Sequence, residues 1–136
     1  MTQSIESGSN NMIKIVLIDD DAFVLRVHAE MLKAMGYVPF TFESPEDALK
    51  YLREYREHVS MVITDYRMPV MNGLEFISEL RQFDNEMSAM ILTGFPDEVD
   101  HHKVRSYGAR LVSKPIKSQK MAEHIDSLEH KKNSTA

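Results

Sequence analysis

The chain has 136 residues, 43% of them hydrophobic and 27% charged, with a formal charge of −5 and no cysteine. That length suits one domain with its own core and leaves little room for a second. Disulfides and thiolate metal sites are excluded, an acidic chain is poorly suited to holding nucleic acid or anionic lipid, and no apolar run has the length that spans a bilayer.

Met1 to Asn11 are polar and lack the basic and apolar regions of a signal peptide, so residues 1–11 are expected to form a disordered tail and the protein to be cytoplasmic. The first strand, Ile13 to Ile18, is apolar on both faces and runs into Asp19, Asp20 and Asp21. Val24, Val27, Met31 and Met35 share one face of a first helix, and Gly36 is its natural stop. Tyr37 to Phe42 is a second strand. Ser44, Pro45 and Asp47 then supply an N-cap, a proline at the first helical position and an acid in the first turn of a second helix.

Met61 to Thr64 is a third strand, ending in Asp65; Met68 and Pro69 close a turn, and Gly73 gives backbone freedom before a third helix with Leu74, Ile77 and Leu80 along its stripe. Ala89 to Leu92 is a fourth strand, ending in Thr93 and Gly94. A fourth helix is expected between Phe95 and Gly108. Ala109 to Val112 is a fifth strand leading to Lys114 and Pro115, where the sequence is compatible with a cis peptide. Met121, Ile125 and Leu128 mark a fifth helix. Residues 131–136 are expected to be a second disordered tail, leaving a domain at 12–130. Strands and helices in alternation, with several strands apolar on both faces, predict a doubly wound parallel sheet covered by helices on both sides.

In such sheets ligands bind beyond the carboxyl ends of the strands, near the point where strand order reverses. There the chain places Asp19 to Asp21, Asp65, Thr93 and Lys114. Two anions about 4 Å apart repel by roughly 4 kcal/mol at the effective dielectric of a protein surface, so an acidic cluster takes up protons or recruits a cation. The donors are hard oxygens, which favours Mg²⁺ or Mn²⁺ over zinc. Capping the first helix is the alternative for these acids, but three in a row exceed what a cap needs. Thr93 alone reads as a turn residue and Lys114 alone as a solvated lysine. Beside a divalent ion, a hydroxyl and an ammonium would together neutralise the oxygens of a transferring phosphoryl group. Asp65 then reads as the nucleophile that forms an acyl phosphate, with the main-chain carbonyl of Arg67 available to the metal.

The segments "LIDDD", "DYRMPVMNG", "ILTG" and "SKP" occur in the order and at the spacing of one family, and over about Met12 to Glu129 the chain resembles the response regulator receiver domains of two-component signalling. The resemblance implies a flavodoxin-like, five-stranded parallel sheet of order 2-1-3-4-5. It implies that Asp19 and Asp20 hold Mg²⁺ together with Asp65 and the Arg67 carbonyl, that Asp65 is the phosphoacceptor, that Thr93 is the switch hydroxyl and that Lys114 binds the phosphoryl group. The donor would be a sensor histidine kinase or a histidine phosphotransfer protein, and the protein a signalling phosphoacceptor rather than an enzyme. An output partner, or a second copy of the chain, would meet the face formed by the fourth helix, fifth strand and fifth helix.

The chain departs from the family pattern in places. Leu111 stands where a switch aromatic is usual, Gly94 where a small alanine or serine is usual, and Asp21 is an extra acid placed outside the metal shell. Arg67 and Phe95, two residues beyond Asp65 and Thr93, occupy positions that in the family tune the lifetime of the phosphoryl group. Phe95, His101, His102, Arg110 and Lys117 are expected to be exposed on the output face. His101 and His102 are neighbours and so point in different directions on a helix, which favours solvated surface over metal ligation. The 10 methionines read mainly as core.

Two further readings remain. Asp19 and Asp21 fit the first-strand D-x-D of haloacid-dehalogenase-type phosphatases, with Asp19 as nucleophile; that family needs a later acidic pair on a strand, whereas Glu123, Asp126 and Glu129 lie on a helical pattern. A degenerate receiver that binds partners without phosphorylation is opposed by the intact set of Asp19, Asp20, Asp65, Thr93 and Lys114. The chain is expected to stand alone, on the strength of its polar ends, with the receiver piece of a longer regulator bearing a DNA-binding or enzymatic output as the alternative.

Overall fold

The computed structural model describes residues 12–134. Five parallel strands, β1 (Lys14–Ile18), β2 (Val38–Phe42), β3 (Met61–Asp65), β4 (Ser88–Thr93) and β5 (Ala109–Ser113), form one sheet in the order β2-β1-β3-β4-β5. Helices α1 (Ala22–Ala34), α2 (Pro45–Tyr55), α3 (Gly73–Arg81), α4 (His101–Ser106) and α5 (Ser118–Ser134) alternate with them. No helix among the described residues is long and apolar enough to cross a membrane.

Strand residues alternate between two cores, as a pleat with a period of two requires. Val16, Ile18, Val62, Ala89 and Ile91 face α2, α3 and α4, meeting Leu49, Leu52, Phe76, Ile77, Leu80 and Val104. Ile15, Leu17, Met61, Ile63, Met90 and Leu92 face α1 and α5, meeting Leu25, Leu32, Met121, Ile125 and Leu128. Each fully buried aliphatic side chain is worth about 1.5–3 kcal/mol relative to exposure, so the pattern that makes both faces apolar also drives the sandwich together. Met61, Met87, Met90 and Met121 are buried in it.

The helix boundaries follow local chemistry. Asp21 caps α1, accepting from Phe23 N and Val24 N at 3.0 and 3.2 Å. Gly36 ends it at φ 92°, donating to Lys33 O while Tyr37 N reaches Leu32 O. Only a residue without Cβ takes that backbone freely. Ser44 caps α2 ahead of Pro45, and Asp100 caps α4 after a 3₁₀ turn at Pro96–Glu98. At α3, Asn72 and Glu75 form a reciprocal capping box.

Two expectations need correction. The buried stripe of α1 is Leu25, His28, Ala29 and Leu32; Val27 is 43% exposed and Phe23 74%. Of the expected row, Val24 is half-buried and Met31 and Met35 pack at the margin of the core, so Val27 alone faces outward. At the other end α5 runs to Ser134, through residues 131–134 that were expected to lie in a tail; Lys131 and Lys132 are ordinary helix formers that let the last turns continue. The expected tail at 1–11 and the last two residues, 135–136, lie outside the described residues.

Candidate functional site

β1 leads to β2 on one side of the sheet, and the chain then crosses back so that β3 pairs with the other side of β1. This reversal opens a cleft beyond the carboxyl ends of β1 and β3. Asp19, Asp20, Asp65, Arg67, Thr93 and Lys114 all line it, in a volume of about 320 Å³. The candidate residues therefore come together from four separate segments.

Asp19 is buried and Asp65 half-buried; with the exposed Asp20 they offer carboxylate oxygens within 4.8 Å of one another. Asp21 does not share this role, because its side chain is used as the α1 cap and its amide donates to Asp19 Oδ1 at 2.9 Å. Helix capping therefore accounts for one of the three consecutive acids and leaves two for the cleft. Asp65 stands at the last position of β3, and the turn after it is held by close backbone packing. Gly73 N donates to Tyr66 O at 2.8 Å, and a Cβ on Gly73 would lie 2.5 Å from Asp65 O. Here glycine is required by proximity, not by a left-handed backbone.

Lys114 enters from the end of β5, preceding a cis bond to Pro115. Its Nζ lies 2.7 Å from Asp65 Oδ1 and 3.4 Å from Asp19 Oδ2. Burial disfavours the ammonium, but hydrogen bonding to Asp65 and the charges of Asp65 and Asp19 outweigh it and hold Lys114 above its ordinary value. Asp19 is not equally relieved. Burial first, then the neighbouring charge of Asp65, push its carboxyl up despite the Asp21 amide and Lys114. One lysine thus serves two carboxylates and leaves negative charge uncompensated. A divalent ion bound by hard oxygens fits that surplus, so Asp19, Asp20 and Asp65 could hold one.

Thr93 is 1% exposed at the end of β4, and its hydroxyl accepts from Phe95 N at 3.0 Å. Lys114 N donates to Thr93 O at 2.7 Å, which ties the ends of β4 and β5 together. Of the expected surface residues, Phe95, His101, His102 and Lys117 are exposed. Arg110 is half-buried, against His124 Nδ1 at 3.3 Å and Ser127 Oγ at 3.2 Å. His101 Nε2 lies 2.9 Å from Pro96 O. Leu111 is partly buried against the α4 side of the core.

Two features had no counterpart in the sequence reading. The Arg67 guanidinium is bonded to Glu98 and stacked on Phe95 at 3.7 Å from the ring centroid, a contact 31 residues long in sequence with no local signal. Val70 is 88% exposed at φ 73°, an unusual backbone for a β-branched residue.

The family model for the response regulator receiver domain matches residues 15–126. The chain belongs to that family. Its fold is that of a receiver domain from Clostridium thermocellum, with a TM-score of 0.84 and 26% identity over 92% of this chain and 100% of that one. The transcriptional regulatory protein GlrR of Escherichia coli is 30% identical over 119 residues, 87% of this chain and 26% of that protein. A Haemophilus influenzae homolog of the transcriptional regulatory protein CpxR is 27% identical over 86% of this chain and 50% of its own length. This receiver domain thus spans half or less of these regulators, and 17–20% of two Arabidopsis thaliana relatives. Receiver domains belong to two-component systems and interact with histidine kinases or phosphotransfer proteins, and the expected sheet order 2-1-3-4-5 is the one observed.

Proposed function

We propose that this receiver accepts a phosphoryl group on Asp65 from a phosphohistidine of a kinase or phosphotransfer protein in the cytoplasm. An oxygen of Asp65 attacks phosphorus, the P–N bond to the imidazole breaks as the P–O bond forms, and the imidazole leaves with a proton. Lys114 lies within hydrogen-bond distance of the nucleophile, with Nζ 2.7 Å from Asp65 Oδ1. Asp19, Asp20, Asp65 and the Arg67 carbonyl would hold Mg²⁺, or Mn²⁺, which supplies charge neutralisation and a seat for a phosphoryl oxygen. Thr93, bonded through its hydroxyl to the start of the β4–α4 loop, would turn toward the new oxygens. Water attack on the acyl phosphate later returns the carboxylate, so the protein cycles as a signalling phosphoacceptor and is not an enzyme acting on an external substrate.

The observation that carries this reading is the Lys114 bridge to Asp65, within a ring of acids that gives the same lysine a second partner. Inverting a two-state population from roughly 1:99 to 99:1 takes about 5.5 kcal/mol, which two or three charge-assisted hydrogen bonds from Thr93 and Lys114 could supply. The changed surface would be α4, β5 and α5, open to an output partner or a second copy. Leu111 in place of an aromatic leaves that coupling to other contacts.

Acetyl phosphate with Mg²⁺ tests the reading. We expect an acid-stable, base-labile adduct that maps to Asp65 and is abolished by Asp65→Asn. An adduct mapping to Asp19, with sustained hydrolysis of phosphate monoesters, would sink it in favour of the phosphatase.

A further inference from the structure

Arg67 shares the cleft with Asp65, but its guanidinium is paired with Glu98. Its Nε donates to Glu98 Oε1 at 2.9 Å, its second nitrogen meets Glu98 Oε2, and its plane lies against Phe95. Glu98 ends the 3₁₀ turn ahead of α4, so the pair joins the loop after Asp65 to the loop after Thr93 across the mouth of the site. Arg67 therefore lines the cleft of the phosphoacceptor while committed to another carboxylate.

The charges explain why that commitment suits the resting state. With a divalent ion bound, three carboxylates against it and one lysine would come to neutrality, and a further cation would have nothing to gain there. An acyl phosphate carries about two negative charges where Asp65 carried one, and presents acceptor oxygens in the planar spacing that a guanidinium matches with two bonds. Among the cationic side chains lining the cleft, Lys114 is already divided between Asp19 and Asp65, which leaves Arg67.

We propose that Arg67 is a second phosphoryl-binding cation held in reserve by Glu98, and that phosphorylation exchanges its Glu98 partner for the phosphoryl oxygens. Glu98 is then a positioning residue that acts through Arg67: it lowers the affinity of the site for a phosphoryl group and is released with its turn when the group arrives. This rests on Asp65 being the phosphoacceptor.

Beryllofluoride, a tetrahedral phosphoryl mimic, is the probe, titrated with Mg²⁺ by calorimetry into the full chain. Glu98→Gln, with Glu98→Ala as a second variant, is expected to bind it about two- to fivefold more tightly, the range of an exposed ion pair removed from competition. Arg67→Gln is expected to bind about fivefold more weakly, with part of the loss recovered in Arg67→Lys, which keeps the charge without the fork. The double variant should match Arg67→Gln, because the effect of Glu98 passes through Arg67. In ¹⁵N spectra the Arg67 Nε–H resonance of the wild type should move when the probe binds. A Glu98 variant without the gain, a gain that survives loss of Arg67, or an unmoved Nε–H resonance with the probe bound overturns the exchange while leaving Asp65 as acceptor. No uptake by the wild type, or uptake undiminished in Asp65→Asn, overturns the acceptor and the exchange together.

Discussion

His28 shows how one side chain on α1, lining a pocket with Lys114, can register the charge of the site. It is 7% exposed on the buried stripe of α1. Burial first, and then the positive charge of Lys114, lower its pKa, with Asp65 opposing weakly. Because the folded protein keeps this imidazole neutral below its ordinary value of about 6.5, the unfolded chain binds more protons as pH falls through that point. The contribution to stability is therefore present above about pH 6.5 and is lost on acidification. Thermal melts of wild type and His28→Leu should be offset by a constant amount above pH 7. The offset should move against the wild type between about pH 6.5 and 5. A gap that does not change with pH in that range would mean that His28 titrates alike in both states.

At the scale of elements, the turn between β3 and α3 sets where Asp65 points. Gly73→Ala forces a Cβ against the Asp65 carbonyl, and the backbone has to shift. The expected cost is about 1–3 kcal/mol in a denaturant midpoint, together with poorer labelling of Asp65, whereas a mere loop glycine would show neither. The turn after Asp65 was readable because its Pro69 and Gly73 are local signals, but the Asn72 cap was missed and Gly73 is demanded by crowding against Asp65 O, not by backbone freedom. Gly36, Ser44 and the stripes of α3 and α5 were readable for the same reason. The face of α1 was not, because Val24, Val27 and Met31 are as apolar as Leu25, Ala29 and Leu32. Which row is buried depends on how the cap and the strand rotate the helix. The Arg67–Glu98 contact left no trace in the sequence, since charged residues are plentiful and only the folded loops decide which two meet.

For the molecule as a whole, the site is a local cost that the sandwich supports. Asp19, Asp20 and Asp65 crowd negative charge at one end of a sheet whose two cores are otherwise apolar. Removing one charge should then stabilise the metal-free protein: Asp20→Asn is expected to melt higher than wild type in EDTA. Saturating Mg²⁺ should raise the wild-type midpoint, by about 2.7 kcal/mol of binding at a hundredfold excess over Kd, and raise that of the variant less. Equal shifts in the two proteins would place the ion elsewhere. The convergence of the site was legible from strand-end residues, because a doubly wound topology brings those ends to one edge, whereas the sheet order came from the family resemblance.

Pro39 lies in β2, the outermost strand on its side, opposite Ile15. Val38 N donates inward, to Ile13 O, so the backbone position of Pro39 faces away from β1. An incoming extended peptide would look for a donor there and find a ring. The sheet is thus discouraged from recruiting a sixth strand along that border, and any self-association is steered toward helical surfaces and away from open-ended stacking into fibrils.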